Sequence, residues 1–179
     1  SGAGVPAEMS TGRKTRGADR KSAEMPGFDE IDRKILEILQ RDADLAVNAL
    51  ADIVGLSPTP CWRRIKRLEE AGVIKGRVAI VDHARANVGM TVFIGITAPR
   101  HETAWLNQFR ALIDDLPEIV EAYRLTGATD YILKVVVPDI STYDRVYKAM
   151  IERLDFSQIN SSISMEELKF TTAVPSTYL

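Results

Sequence analysis

LSPTPCWRRIKRLEEAGVIKGR, residues 56–77, carries six basic and two acidic residues in a chain of formal net charge −2. Ser57 stands where a helix cap belongs, Pro58 at the first helical position, where its missing N–H costs nothing, and Gly72 where a helix can end. Winding the segment at about 100° per residue puts Cys61, Ile65 and Leu68 on one side. Thr59, Pro60, Arg63 and Arg67 fall opposite, with Arg64 and Lys66 flanking them. A charge run of this kind is usually a solvated helix face, and Glu69 and Glu70 are at hand to pair with it. What precedes the run decides between a solvated face and a binding face.

FDEIDRKILEILQRD, residues 28–42, offers Asp29 as a cap and sets Ile31, Ile35, Ile38 and Leu39 at helical spacing. This predicts a helix over about 29–41. VNALADIVG, residues 47–55, gives a second, shorter helix with Leu50, Ile53 and Val54 on one face and Gly55 as its stop. Two short helices joined through a glycine turn describe a helix-turn-helix, and in that motif the second helix presents its N-terminal half to base edges in the major groove. The basic run sits on that second helix, which favours a nucleic-acid contact. Trp62 falls near the boundary of the two faces and is expected to pack against the first helix. Cys61 points inward and is expected to be inert. VIKGRVAIVD, residues 73–82, alternates and is β-branched, so a short ribbon, a wing, is expected there, with Lys75 and Arg77 near phosphate.

Charge follows this division. Residues 28–56 sum to −4, 57–77 to +4 and 88–179 to −4, so the basic segment is an island in an acidic fold. With 45% hydrophobic and 27% charged residues, most of the chain should fold. Residues 1–27, rich in Gly, Ser, Ala and charge, are expected to be a disordered tail whose basic residues Arg13, Lys14, Arg16, Arg20 and Lys21 are mainly solvated. No apolar run reaches the ~20 residues of a membrane span, so no membrane partner and a cytoplasmic location are expected. One cysteine and two histidines exclude a disulfide framework and give no metal-ligand spacing; no cofactor is expected.

After HARAN, residues 83–87, read as a linker, the period changes. VGMTVFIGITAP (88–99), IVEAYRLTG (119–127) and DYILKVVVP (130–138) read as strands. ETAWLNQFRALIDDLP and STYDRVYKAMIERLD read as amphipathic helices, and SSISMEELKFTTAVP as a last alternating strand. The order β-α-β-β-α-β makes the class α+β, a winged helix-turn-helix (28–82) followed by a ferredoxin-like domain (88–179). Two helices cover one sheet face. The other is expected to meet a second subunit, since a monomer rarely leaves so large an apolar patch in water. No catalytic set emerges, and Asp130 reads as a turn-stabilising residue. An enzyme is not expected.

With both halves in view, the chain resembles the Lrp/AsnC family of bacterial and archaeal transcription regulators over about residues 28–174. FDEIDRKILEILQRDADLAVNALADIVGLSPTPCWRRIKRLEEAGVIKG is similar to the family's DNA-binding signature, and TGATDYILKVVVPD to its second signature. The resemblance implies a regulator binding double-stranded DNA, a homodimer assembling to tetramers or octamers, and a small effector, usually an amino acid, held at subunit interfaces by a glycine turn. On this chain that turn is Thr126, Gly127, Ala128, Thr129, Asp130 and Tyr131, with Asp130 placed to receive an ammonium group. The DNA-binding set is Ser57, Thr59, Pro60, Arg63, Arg64, Lys66, Arg67, Lys75 and Arg77. Thr59, Arg63 and Arg67 are expected nearest the bases, and Arg64, Lys66, Lys75 and Arg77 on phosphates. Ala128 and Thr129 replace an acidic residue and an aromatic common in the family, and Arg77 replaces an aromatic after the wing glycine. The alternative function is an effector-independent DNA-architectural protein.

Overall fold

A computed structural model describes residues 27–179, so the expected tail and its basic residues lie outside the described residues, Gly27 excepted. The described residues form two compact units: 27–76 together with Ala173–Leu179, and Arg77–Thr172.

The first unit contains α1 (Glu30–Leu39), α2 (Val47–Val54) and α3 (Pro58–Glu70). Asp29 caps α1 in a reciprocal box with Asp32: each carboxylate accepts from the other's backbone N–H. Gly55, at φ 73°, ends α2 in the left-handed region and turns the chain into α3. Ile35, Leu36, Leu50, Ala51, Val54, Cys61, Ile65 and Leu68 form the core. Ile53, expected inside, is 63% exposed, and Ala51 takes the inward place. In an eight-residue helix one of the flanking positions must face out, and the smaller Ala51 fits against its neighbours. Trp62 is likewise outside, 49% exposed, not packed on α1.

The wing is a second departure. Residues 75–82 form no hydrogen-bonded strand. Val78, Ile80 and Val81 are exposed, and β-branched alternation makes a ladder only where a second strand pairs with it. HARAN, expected as a linker, folds as a compact turn: Ala86 N–H bonds to the Asp82 carbonyl and Val88 N–H to that of His83, with Asn87 at φ 62°.

The second unit runs β1 (Met90–Thr97), α4 (Thr103–Asp115), β2 (Ile119–Arg124), β3 (Tyr131–Val137), α5 (Ile140–Arg153), β4 (Gln158–Ile163). The sheet order is β2-β3-β1-β4 and its pairs are antiparallel, the expected ferredoxin-like sandwich. Val92, Ile94 and Ile96 of β1 with Leu133, Val135 and Val137 of β3 turn toward α4 and α5. There Phe109 stacks on Trp105 at 4.9 Å, and the Trp105 indole N–H donates to the Asp155 carbonyl at 2.8 Å. The last strand lies earlier than expected: β4 ends at Ile163, and Ser164 N–H makes one further bond to the Thr91 carbonyl of β1 at 2.9 Å.

Ala173–Leu179, expected in the second domain, belongs to the first unit. The Gln40 side-chain amide donates to the Val174 carbonyl at 3.2 Å and accepts from its N–H at 2.5 Å. A short 3₁₀ turn, Ser176–Tyr178, follows, and Leu179 packs against the helix-turn-helix core.

Candidate DNA-reading helix and effector turn

Helix α3 has three sides. Cys61, Ile65 and Leu68 hold it to the core, and burial pushes the Cys61 thiol up, against the pull of Arg64. The flank toward α1 is an ion cluster. Asp32, its side chain 1% exposed, accepts from Arg64 at 3.0 Å and from Arg67, and Arg64 also reaches Asp29 at 2.5 Å. The Asp32 backbone N–H and then the Arg64 guanidinium hold the Asp29 carboxyl below the usual carboxylate range. Arg64 in turn is raised by Asp29 first and Asp32 second.

Arg64 was expected on phosphate. Its guanidinium instead closes α1 onto α3, because a capping-box carboxylate with no access to water needs a cation beside it. Arg67 divides its role: it pairs with Asp32 while its side chain stays 53% exposed. The sequence held the signal in Asp29 and Asp32, acidic residues at capping spacing, but gave no means of knowing that α3 passes over them.

The remaining side is open. Thr59, Pro60 and Arg63 are exposed, and Arg63 has no ion pair among the described residues. Lys66 reaches Glu69 at 2.7 Å and lies 5.9 Å from the centre of the Trp62 ring. Ser57 occupies the cap position but makes no side-chain cap bond, so its hydroxyl is available. Lys75 and Arg77 are exposed beyond the helix.

In the second unit the 125–130 turn joins β2 to β3. Leu125 N–H bonds to the Asp130 carbonyl at 2.8 Å, and Asp130 N–H to that of Ile96 at 2.9 Å. Gly127 sits at φ 106°, where a side chain is strained. The Asp130 carboxylate accepts from Ala98 N–H at 2.9 Å, which ties the turn to the end of β1. Tyr131, expected in the turn's ligand set, is buried with its ring 4.9 Å from that of Phe109: alternation along β3 sends it to the helix side. Thr126, Gly127 and Ala128 are exposed and Thr129 half-buried. Two hollows on the helix side, one bordered by Tyr147, Ile151 and Phe156 and one by Arg100, Trp105 and Arg153, do not include this turn. Among the described residues no group of three or more His, Cys, Asp or Glu could hold a metal, and no helix is long and apolar enough to cross a membrane.

Comparison with known families matches residues 28–75 to a winged helix-turn-helix DNA-binding model and residues 91–174 to the Lrp/AsnC ligand binding domain. The chain belongs to the Lrp/AsnC family. It is similar to the glutamate uptake regulatory protein of Zymomonas mobilis, 44% identical over 83% of this chain and 90% of the relative. A crystal structure of an AsnC family transcriptional regulator from Agrobacterium tumefaciens superposes with TM-score 0.81 at 49% identity, covering 85% of this chain and 99% of that one. A transcriptional regulator from Neisseria meningitidis, solved in complex with L-Met, gives TM-score 0.80 at 31% identity over 85% of this chain and 99% of that one. This Lrp/AsnC chain thus carries the family's DNA-binding helix-turn-helix and its ligand-binding fold, and its homologues are transcription regulators.

Proposed function

We propose that this Lrp/AsnC chain is a sequence-specific DNA-binding regulator, active as a homodimer that assembles further to tetramers or octamers, and modulated by a small effector of the amino-acid class. The supporting observation is the free outward side of α3, where Thr59 and Arg63 project from a helix whose other sides are held by the core and the Asp32 cluster. Two copies in a dimer enter successive major grooves about one helical turn apart. Ser57, Lys66, Lys75 and Arg77 serve the backbone and Arg63 the bases, with Arg67 contributing as far as Asp32 releases it.

The second copy covers the sheet face away from the helices, where Phe93 and Tyr123 are exposed beside the Lys134–Glu121 pair. At the 126–130 turn, exposed backbone N–H groups around Gly127 suit an α-carboxylate. Asp130 retains an oxygen beyond the one bonded to Ala98, and that oxygen suits an α-ammonium. The L-Met complex of the Neisseria relative supports the amino-acid class. Duplex titration tests the reading: Arg63→Ala is expected to cost roughly 1–3 kcal/mol of sequence discrimination, whereas Arg110→Ala, on exposed α4 surface, leaves it unchanged. Equal losses would remove α3 from the groove.

A further inference from the structure

Trp62 is the largest side chain on α3 and one of two tryptophans in the chain. It is half-exposed, whereas Trp105 lies in the core of the second unit. Its position one residue past Cys61 puts it about 100° from the buried stripe. That is the flank opposite Arg64 and Arg67, so the cluster holding α3 to α1 leaves Trp62 uncovered. Lys66, one turn on, lies by the ring and pairs with Glu69, while Arg63, next in sequence, turns about 100° further outward and has no ion pair among the described residues.

A broad apolar plane with two cations on its outward side, one paired with Glu69 and one without an ion pair among the described residues, does not suit solvent. A major groove answers all three. Phosphates and guanine acceptors take the cations, and the apolar group that groove offers is the C5-methyl of thymine. We infer that Trp62 is a sequence-reading residue whose indole packs on a thymine methyl, with Lys66 and Arg63 holding the strand and base beside it. This rests on the DNA-reading role proposed for α3 and adds a base preference to it.

The test uses the full chain. A bound duplex is first selected from a random pool, and each of its thymines is then replaced singly by uracil, which removes only the methyl. For the unaltered protein one such replacement is expected to weaken binding roughly threefold to tenfold. Trp62→Ala binds the parent duplex more weakly by a similar factor and no longer distinguishes thymine from uracil there, while Trp62→Phe keeps part of the distinction. Because Trp62 is on the surface, the variants are expected to melt with the parent protein.

Acrylamide quenching gives an independent readout, with buried Trp105 as the internal reference. The accessible emission in free protein is Trp62's, and duplex is expected to shield it. Failure to select or bind any duplex overturns the regulator reading and this inference with it. Duplex binding that is indifferent to every uracil, or that leaves Trp62 quenchable, overturns the Trp62 assignment alone. Shielding before DNA is added also overturns it, since another protein surface would then cover the ring.

Discussion

Asp32 is the residue on which the first unit is most exposed to a single change. Its carboxylate accepts from Arg64, Arg67 and the Asp29 backbone N–H. Removing one partner of a fully buried ion pair costs about 3–5 kcal/mol, because the other charge is stranded. Here the guanidinium groups are not stranded: Arg67 is half in water and Arg64 keeps Asp29 at 2.5 Å. Asp32→Ala is therefore expected to cost less, about 2–3 kcal/mol, most of it from two charge-assisted hydrogen bonds and half of a capping box. Asp32→Asn keeps a neutral acceptor and should cost roughly half as much. At about 4–8 °C per kcal/mol for a small domain, the alanine variant is expected to lower the melting temperature of the helix-turn-helix unit by roughly 10–20 °C. Far-UV circular dichroism of the full chain, with the second unit's transition as reference, measures it. A double-mutant cycle with Arg67→Ala adds a direct check, with a coupling of about 1 kcal/mol or more expected. If Asp32→Asn melts with the parent protein and the cycle is additive, the cluster is a surface decoration and the account of α3 docking is wrong.

The cluster also sets an acid limit. Asp29 has a lowered carboxyl in the folded state, so its contribution is fully present above the usual carboxylate range and fades as pH falls through the lowered value. Unfolding followed from pH 6 to pH 2 should show the first unit weakening at the acid end, and Asp29→Asn should flatten that slope. Gly127→Val is expected to strain the turn by roughly 1–3 kcal/mol and to abolish any thermal shift caused by amino acids, while duplex affinity stays at the parent level; an unchanged shift would move the effector elsewhere. Gln40→Ala, losing both bonds to Val174, should cost about 1 kcal/mol in the first unit, read by amide exchange of α1.

The elements that could be read from sequence were those whose signals are local. Pro58 and Gly72 framed α3, Gly55 closed α2, and the two-residue period of β1 and β3 gave a sheet with one face toward helices. What failed depended on partners far along the chain. Arg64 looked like one more cation on a basic helix until Asp29 and Asp32, more than thirty residues earlier, met it. Val78 and Ile80 are strand-forming residues, yet they stand exposed outside any strand. Tyr131 was counted with the turn preceding it, although the first residue of β3 already obeys the sheet's alternation and faces Phe109. Trp62, at the edge of an amphipathic face, could have packed either way. The crossing of α3 over α1 determined it, and no spacing encodes that crossing.

The hold of Gln40 on Val174 spans 134 residues of sequence. On the ribosome, the three helices emerge early, yet Leu179 reaches their core only after the whole sandwich has been synthesised. The nascent helix-turn-helix is therefore weaker than the finished one, and it matures in a step gated by completion of the other unit. A change at Val174 or Leu179 would therefore disturb the DNA-binding half of the molecule, although more than a hundred residues separate them from its helices in sequence.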